Sequence, residues 1–75
     1  MTCQFELAVE EYKKAIKADA QYADPYFNLG VMYEKMGNTE AAAESYRNFL
    51  ERLGDKTSLF YKKVSNRLKE IQAEE

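Results

Sequence analysis

A period governs this chain. Ala8 and Ala42, Glu10 and Glu44, and Tyr12 and Tyr46 each stand 34 residues apart. At the same offset Ile16 and Leu50 keep an apolar group, Lys13 and Arg47 keep a positive charge, and Tyr26 and Phe60 keep an aromatic ring. Asp24 and Ser58 repeat a residue type that caps helix amino termini. One matched pair arises easily by chance; a set spanning two segments points to a recurring unit. Such a unit buries its apolar face against its neighbours rather than around one shared centre.

The spacing of apolar residues makes the unit helical. Phe5, Ala8, Val9, Tyr12, Ala15 and Ile16 recur at three- and four-residue intervals and predict a helix over about residues 4–19. Its acids Glu6, Glu10 and Glu11 come early and its lysines Lys13, Lys14 and Lys17 come late, which complements the helix dipole. Glu10 and Lys14 form a favourable i,i+4 pair, whereas Glu6 and Glu10 form an unfavourable one. Asp24 is expected to cap a second helix with Pro25 at its first position. That helix carries the stripe Tyr26, Leu29, Gly30, Tyr33 and Met36 and stops at Gly37. Asn38 caps a third, striped by Ala42, Tyr46, Phe49, Leu50 and Leu53 and stopped by Gly54. Thr57 or Ser58 caps a fourth, striped by Phe60, Val64, Leu68 and Ile71. No segment alternates with period two, so the chain reads as all-α, with linkers short enough to force antiparallel neighbours.

Composition excludes several functions. With 75 residues the chain is one domain at most and buries only ~60% of the surface its unfolded form exposes. A formal charge of −2 argues against a general nucleic-acid binder. There is no His, which removes histidine bases and histidine metal ligands, and one Cys allows neither an internal disulfide nor a Cys-rich zinc site. No apolar run approaches the ~18 residues of a membrane span, and nothing at the start reads as a leader. Glu40, Glu44 and Glu51 fall on a solvated face, and Ser45 and Ser65 have no histidine partner. No catalytic residue, metal ligand or cofactor is therefore expected.

Residues 23–56 resemble a tetratricopeptide repeat. The family pattern W-x₂-L-G-x₂-Y, A-x₃-F, P is matched here by Tyr26, Leu29, Gly30 and Tyr33, then Ala42 and Tyr46, with Gly54 where the closing Pro is expected. Gly30 and Ala42 lack bulk and are expected to let two helix backbones approach, with Tyr26, Tyr33, Tyr46 and Phe49 filling the space around them. A generic helical hairpin is the plainer alternative. Residues 1–22 resemble the second helix of an incomplete preceding unit through Ala8, Tyr12 and Ala15. In residues 57–75, Lys63, Val64 and Arg67 replace the Leu, Gly and Tyr of the pattern, so this segment reads as a capping helix. Its Lys62, Lys63, Arg67, Lys69 and Glu70 should face water. The expected architecture is a single short α-solenoid of about four helices.

About three repeats are ordinarily needed for stability. Phe5, Val9, Tyr12 and Ile16 should then lack one of their two neighbours. Exposing one large apolar side chain forgoes ~1.5–3 kcal/mol, against ~3–5 kcal/mol for a whole domain of this size. The chain therefore reads as the end of a longer protein that, alone, forms a homodimer through those four residues. A stable monomer with the last helix folded back is the rival expectation.

The resemblance also implies what the protein does. In the family, first helices of successive units line a concave groove that holds a peptide or partner helix. The matching positions here are Phe27, Asn28, Val31, Glu34 and Lys35, then Ser58, Tyr61, Lys62 and Ser65. The expected function is a non-catalytic protein–protein interaction module within a scaffold or adaptor, presenting Phe27, Asn28, Val31, Lys35, Tyr61 and Lys62. A carboxylate clamp is not expected, because Asn28 and Lys62 supply only part of one. A purely structural, self-associating element is the alternative. An RNA adaptor built on Lys62, Lys63 and Arg67, with Phe60 and Tyr61 to stack on bases, is a remoter one. Cys3 reads as an exposed thiol, Met32 and Met36 as core fillers, and Met1–Thr2 as a start that need not be native. One Cys suits cytoplasm and periplasm alike, and the sequence names no partner.

Overall fold

The breaks between helices follow from a few side chains. The computed structural model describes residues 3–74; the Cys3 side chain and Met1–Thr2 lie outside what it describes. Within that span run α1 (Cys3–Ala18), α2 (Asp24–Lys35), α3 (Thr39–Leu53) and α4 (Leu59–Glu74). After α1, the Asp19 carboxylate accepts the Gln21 amide at 3.1 Å and turns the chain. Between α2 and α3, Gly37 takes φ +81° and the Asn38 side chain accepts the Ala41 amide at 3.2 Å. Gly54 ends α3 at φ +72°, its amide donating to the Leu50 carbonyl at 3.1 Å. A left-handed turn of this kind costs a Cβ-bearing residue about 1–2 kcal/mol, and glycine escapes it. Ser58 caps α4, its hydroxyl accepting the Phe60 amide at 3.2 Å.

One expected cap is different. Ala23, not Asp24, is the cap of α2, and it makes no side-chain bond. Asp24 sits one step inside the helix, where its charge still complements the dipole, and its carboxylate accepts the Tyr22 hydroxyl at 2.9 Å.

Helix backbones approach only those of their sequence neighbours, α1 with α2, α2 with α3 and α3 with α4, and no other pair of helix backbones comes together among the described residues. The chain is correspondingly thin, 35 × 31 × 16 Å, which leaves room for two layers of helices. This is the stacked all-α architecture the period calls for, and not a four-helix bundle closed on itself.

The core gathers Tyr26, Ala42, Ala43, Tyr46, Phe49, Val64 and Ile71. Tyr33 is half-buried against this cluster, and Leu29 is buried outside it. Gly30 and Ala42 are both buried, and the ring of Tyr46 lies directly against Gly30. A Cβ on Gly30 would come within 2.6 Å of Cδ1 and 2.8 Å of Cζ of Tyr46, so the glycine makes room for a tyrosine ring.

The stripe of α4 is also corrected. Val64 and Ile71 are buried and Leu68 packs on the core, but Phe60 is 65% exposed. Its counterpart Tyr26 is buried because the Arg52 guanidinium lies 4.4 Å from its ring centroid and its hydroxyl donates to the Ala20 carbonyl at 3.0 Å. Nothing among the described residues plays that part for Phe60. Met36, expected to fill a core gap, is exposed beyond the last turn of α2.

Candidate functional site

The groove positions divide into three groups. Phe27 and Asn28, on the first turns of α2, join Asp24 of the same helix, Phe49 and Leu53 of α3 and Phe60 of α4 around an open cavity of about 320 Å³. Phe27 is not the free apolar group expected on a wet face. Its ring packs at 5.5 Å from that of Phe49 and 6.1 Å from that of Tyr46, because α3 crosses directly beneath it. It forms the wall of the cavity, and Phe60, expected in the core, forms the rim.

Val31, Tyr61, Ser58 and Ser65 are half-buried and Lys62 is exposed, and none of them lines that cavity. Lys35 points elsewhere: its Nζ lies 6.0 Å from the Phe5 ring centroid, so it belongs to the contact with α1.

Glu34 is the third case. Its Oε1 accepts the Tyr46 hydroxyl at 2.7 Å, and Arg67 Nε donates to both carboxylate oxygens at 3.0 Å. A second guanidinium nitrogen of Arg67 donates to Oε2, and a third reaches Glu70 at 3.3 Å. This is the two-pronged pairing for which a planar guanidinium is suited. Its hydrogen bonds hold the Glu34 carboxyl below the usual glutamate value. Burial, then the bond to Glu34, pushes the Tyr46 hydroxyl well above the usual tyrosine value. The pairing ties α2 to α4 although the two helix backbones do not approach each other.

Arg67 was expected on a solvated face with Lys62, Lys63 and Lys69. The three lysines are exposed, whereas Arg67 is half-buried and engaged by two carboxylates. Arg67 stands where the repeat pattern calls for a tyrosine, a departure that marks the position without pointing to Glu34.

On α1, Val9 is buried and Phe5, Tyr12 and Ile16 are half-buried, Ile16 against the core. The four were expected to lie open for want of a neighbour. Packing against α2 is enough to bury Val9 within the single chain, and the large apolar group left outside on this helix is Leu7. Ser45 is buried in α3, and no cluster of acids among the described residues has the makings of a metal site. No helix is long and apolar enough to cross a membrane among those residues.

Comparison with known proteins agrees with this geometry. A family described as "TPR repeat" matches residues 4–37, and one described as "Tetratricopeptide repeat" matches residues 23–56, the segment that contains α2 and α3. Protein bimA of Emericella nidulans is 31% identical over 45 residues, which is 60% of this chain and 6% of that protein. The chain thus spans a small fraction of that relative's length. No solved structure matches it.

Proposed function

The chain belongs to the tetratricopeptide repeat family, whose repeats are generally protein–protein interaction modules, and we propose that this one holds a peptide or partner helix in the groove between α2 and α4. The observation that carries the reading is the open cavity walled by Phe27, Phe49 and Leu53, with Phe60 exposed on its rim. Apolar groups grouped on an accessible surface mark contact sites. Asn28 supplies an amide beside them that can donate to a carbonyl and accept from an N–H of a bound backbone. Val31, Tyr61 and Lys62 do not line that cavity and enter the reading only as positions the repeat pattern assigns to the groove. The mechanism is rigid presentation: neighbouring helices fix the cavity before the partner arrives, which lowers the ordering cost of binding. No chemistry on the partner is part of this reading.

Selection of peptides from a random library on the 75-residue chain tests it. Selected peptides should bind, and Phe60→Ala and Asn28→Ala should each weaken them about tenfold with no change in the mass of the chain in solution. Selected peptides that bind Phe60→Ala unchanged would remove the groove reading. A dimer that dissociates on Phe60→Ala would favour the structural alternative, in which the groove residues serve self-association only.

A further inference from the structure

Away from the groove, a larger concavity of about 480 Å³ lies where the first turns of α1 meet the end of α2. Glu6, Leu7, Val9, Glu10 and Met36 line it. Val9 is its buried floor, while Leu7 is 66% and Met36 37% exposed at its sides. Two acids and three apolar groups therefore share one notch.

Its charge is unmet. Among the described residues neither Glu6 nor Glu10 is in a salt bridge; Lys14 reaches Glu11 instead, at 4.0 Å, and Lys35 sits over the Phe5 ring. Like charges at i,i+4 oppose helix formation. The helix dipole, expected to favour Glu6, Glu10 and Glu11 alike, reaches Glu6 in the first turn but not Glu10, and the expected Glu10–Lys14 pair is not among the salt bridges of the described residues.

A second notch repeats the first 34 residues later, and the comparison is instructive. Glu40, Ala43 and Glu44, the counterparts of Glu6, Val9 and Glu10, line a concavity of about 300 Å³ with Arg47 and Gln72. There Arg47 supplies a cation from within, and the remaining walls are small or polar. In the first notch the counterpart of Arg47, Lys13, is not among the lining residues, and the walls are Leu7 and Met36. The notch built from Glu6 and Glu10 keeps the two acids, lacks the internal cation and gains an apolar floor.

We propose that this notch docks a basic amphipathic segment of a partner protein. An apolar side chain of the partner lies on Val9 between Leu7 and the adaptable Met36, and Lys or Arg beside it meets Glu6 and Glu10. Paired carboxylates repel phosphate, so neither a nucleic acid nor an anionic membrane is the occupant. The notch is separate from the groove between α2 and α4, and neither site depends on the other.

The test is titration of the isotope-labelled chain with a leucine–lysine amphipathic peptide, with a leucine–glutamate peptide of the same pattern as control. The backbone amides of Leu7, Val9, Glu10 and Met36 should shift saturably with the first peptide and not with the second. Joint Glu6→Gln and Glu10→Gln substitution should weaken binding about tenfold, and Leu7→Ala about fivefold. All three side chains are exposed, and an unchanged helical signal verifies the fold of each variant. Shifts confined to the groove, equal binding of the leucine–glutamate peptide, or no saturable shift would overturn the proposal. So would shifts at the notch that depend on protein concentration without peptide, which would make a second copy the occupant. None of these outcomes bears on the effect of Phe60→Ala in the groove.

Discussion

Arg67 of α4 places its Nε 3.0 Å from each carboxylate oxygen of Glu34 in α2, joining two helices whose backbones do not approach each other. Replacing the planar fork with a point charge should loosen α4. Arg67→Lys is expected to lower the thermal midpoint, and Arg67→Ala to lower it further. Glu34→Gln should lower it as well, because it leaves Arg67 without its main partner. Thermal unfolding followed by circular dichroism checks the order. Equal midpoints for wild type and Arg67→Ala would show that the pairing contributes nothing to stability.

The same pairing sets a pH dependence. In the folded chain the Glu34 carboxyl titrates below the ordinary value of 4.5, chiefly through its bonds to Arg67. The stability it contributes is therefore complete above that value and is lost as pH falls through the depressed one. Tyr46 shifts the other way, raised above the ordinary 10.0 by burial and by Glu34. Its contribution is complete below pH 10.0 and declines as pH rises beyond it. Asp55, lowered by its bonds to Thr57, adds to the acid limb. Denaturant titrations at stepped pH should show both limbs, and Glu34→Gln should flatten the acid one in part and leave the Asp55 share.

Helix propensity and packing make opposite forecasts for Gly30→Ala. An alanine inside a helix gains about 1 kcal/mol over glycine. Here the added methyl meets the ring of Tyr46, which cannot swing aside because its hydroxyl is bonded to Glu34 and its ring packs on Phe27. Overpacking of this kind costs about 1–3 kcal/mol, so a net loss of up to about 2 kcal/mol is expected. Urea unfolding of wild type and Gly30→Ala under the same conditions reads the sign directly, and a stabilised variant would show that helix propensity outweighs the contact with Tyr46.

Those residues also mark what could be read from the sequence. Period and helical stripes placed the helices and the buried Tyr26, Leu29, Tyr46 and Phe49, because repeat spacing and apolar periodicity are local properties of the chain. The identity of each contact was harder to read. Gly30 and Ala42 were read as the small residues of the repeat, but the sequence does not say that the group directly against the glycine is the ring of Tyr46. Glu34 and Arg67 are separated by 33 positions, and no local pattern links them. Phe60 kept the spacing of Tyr26, yet burial of that position depends on partners such as Arg52 and the Ala20 carbonyl, which belong to other segments. Side-chain periodicity shows which residues have the chance to be buried, and the neighbours decide which of them are.

Phe60 and Ile71 turn that distinction into a measurement. Both are large apolar residues on α4, and the helical stripe treats them alike. Ile71 is fully buried, so Ile71→Ala removes packed volume and should cost about 2–5 kcal/mol. A domain of this size has about 3–5 kcal/mol in total, so that variant should be largely or wholly unfolded near room temperature. Phe60 lies mostly in water, and Phe60→Ala should change stability by less than about 0.5 kcal/mol. Equilibrium unfolding of the two variants under one set of conditions separates them. Comparable losses would mean that another surface covers Phe60 in solution. Light scattering at low and high protein concentration would then show whether a second copy provides it.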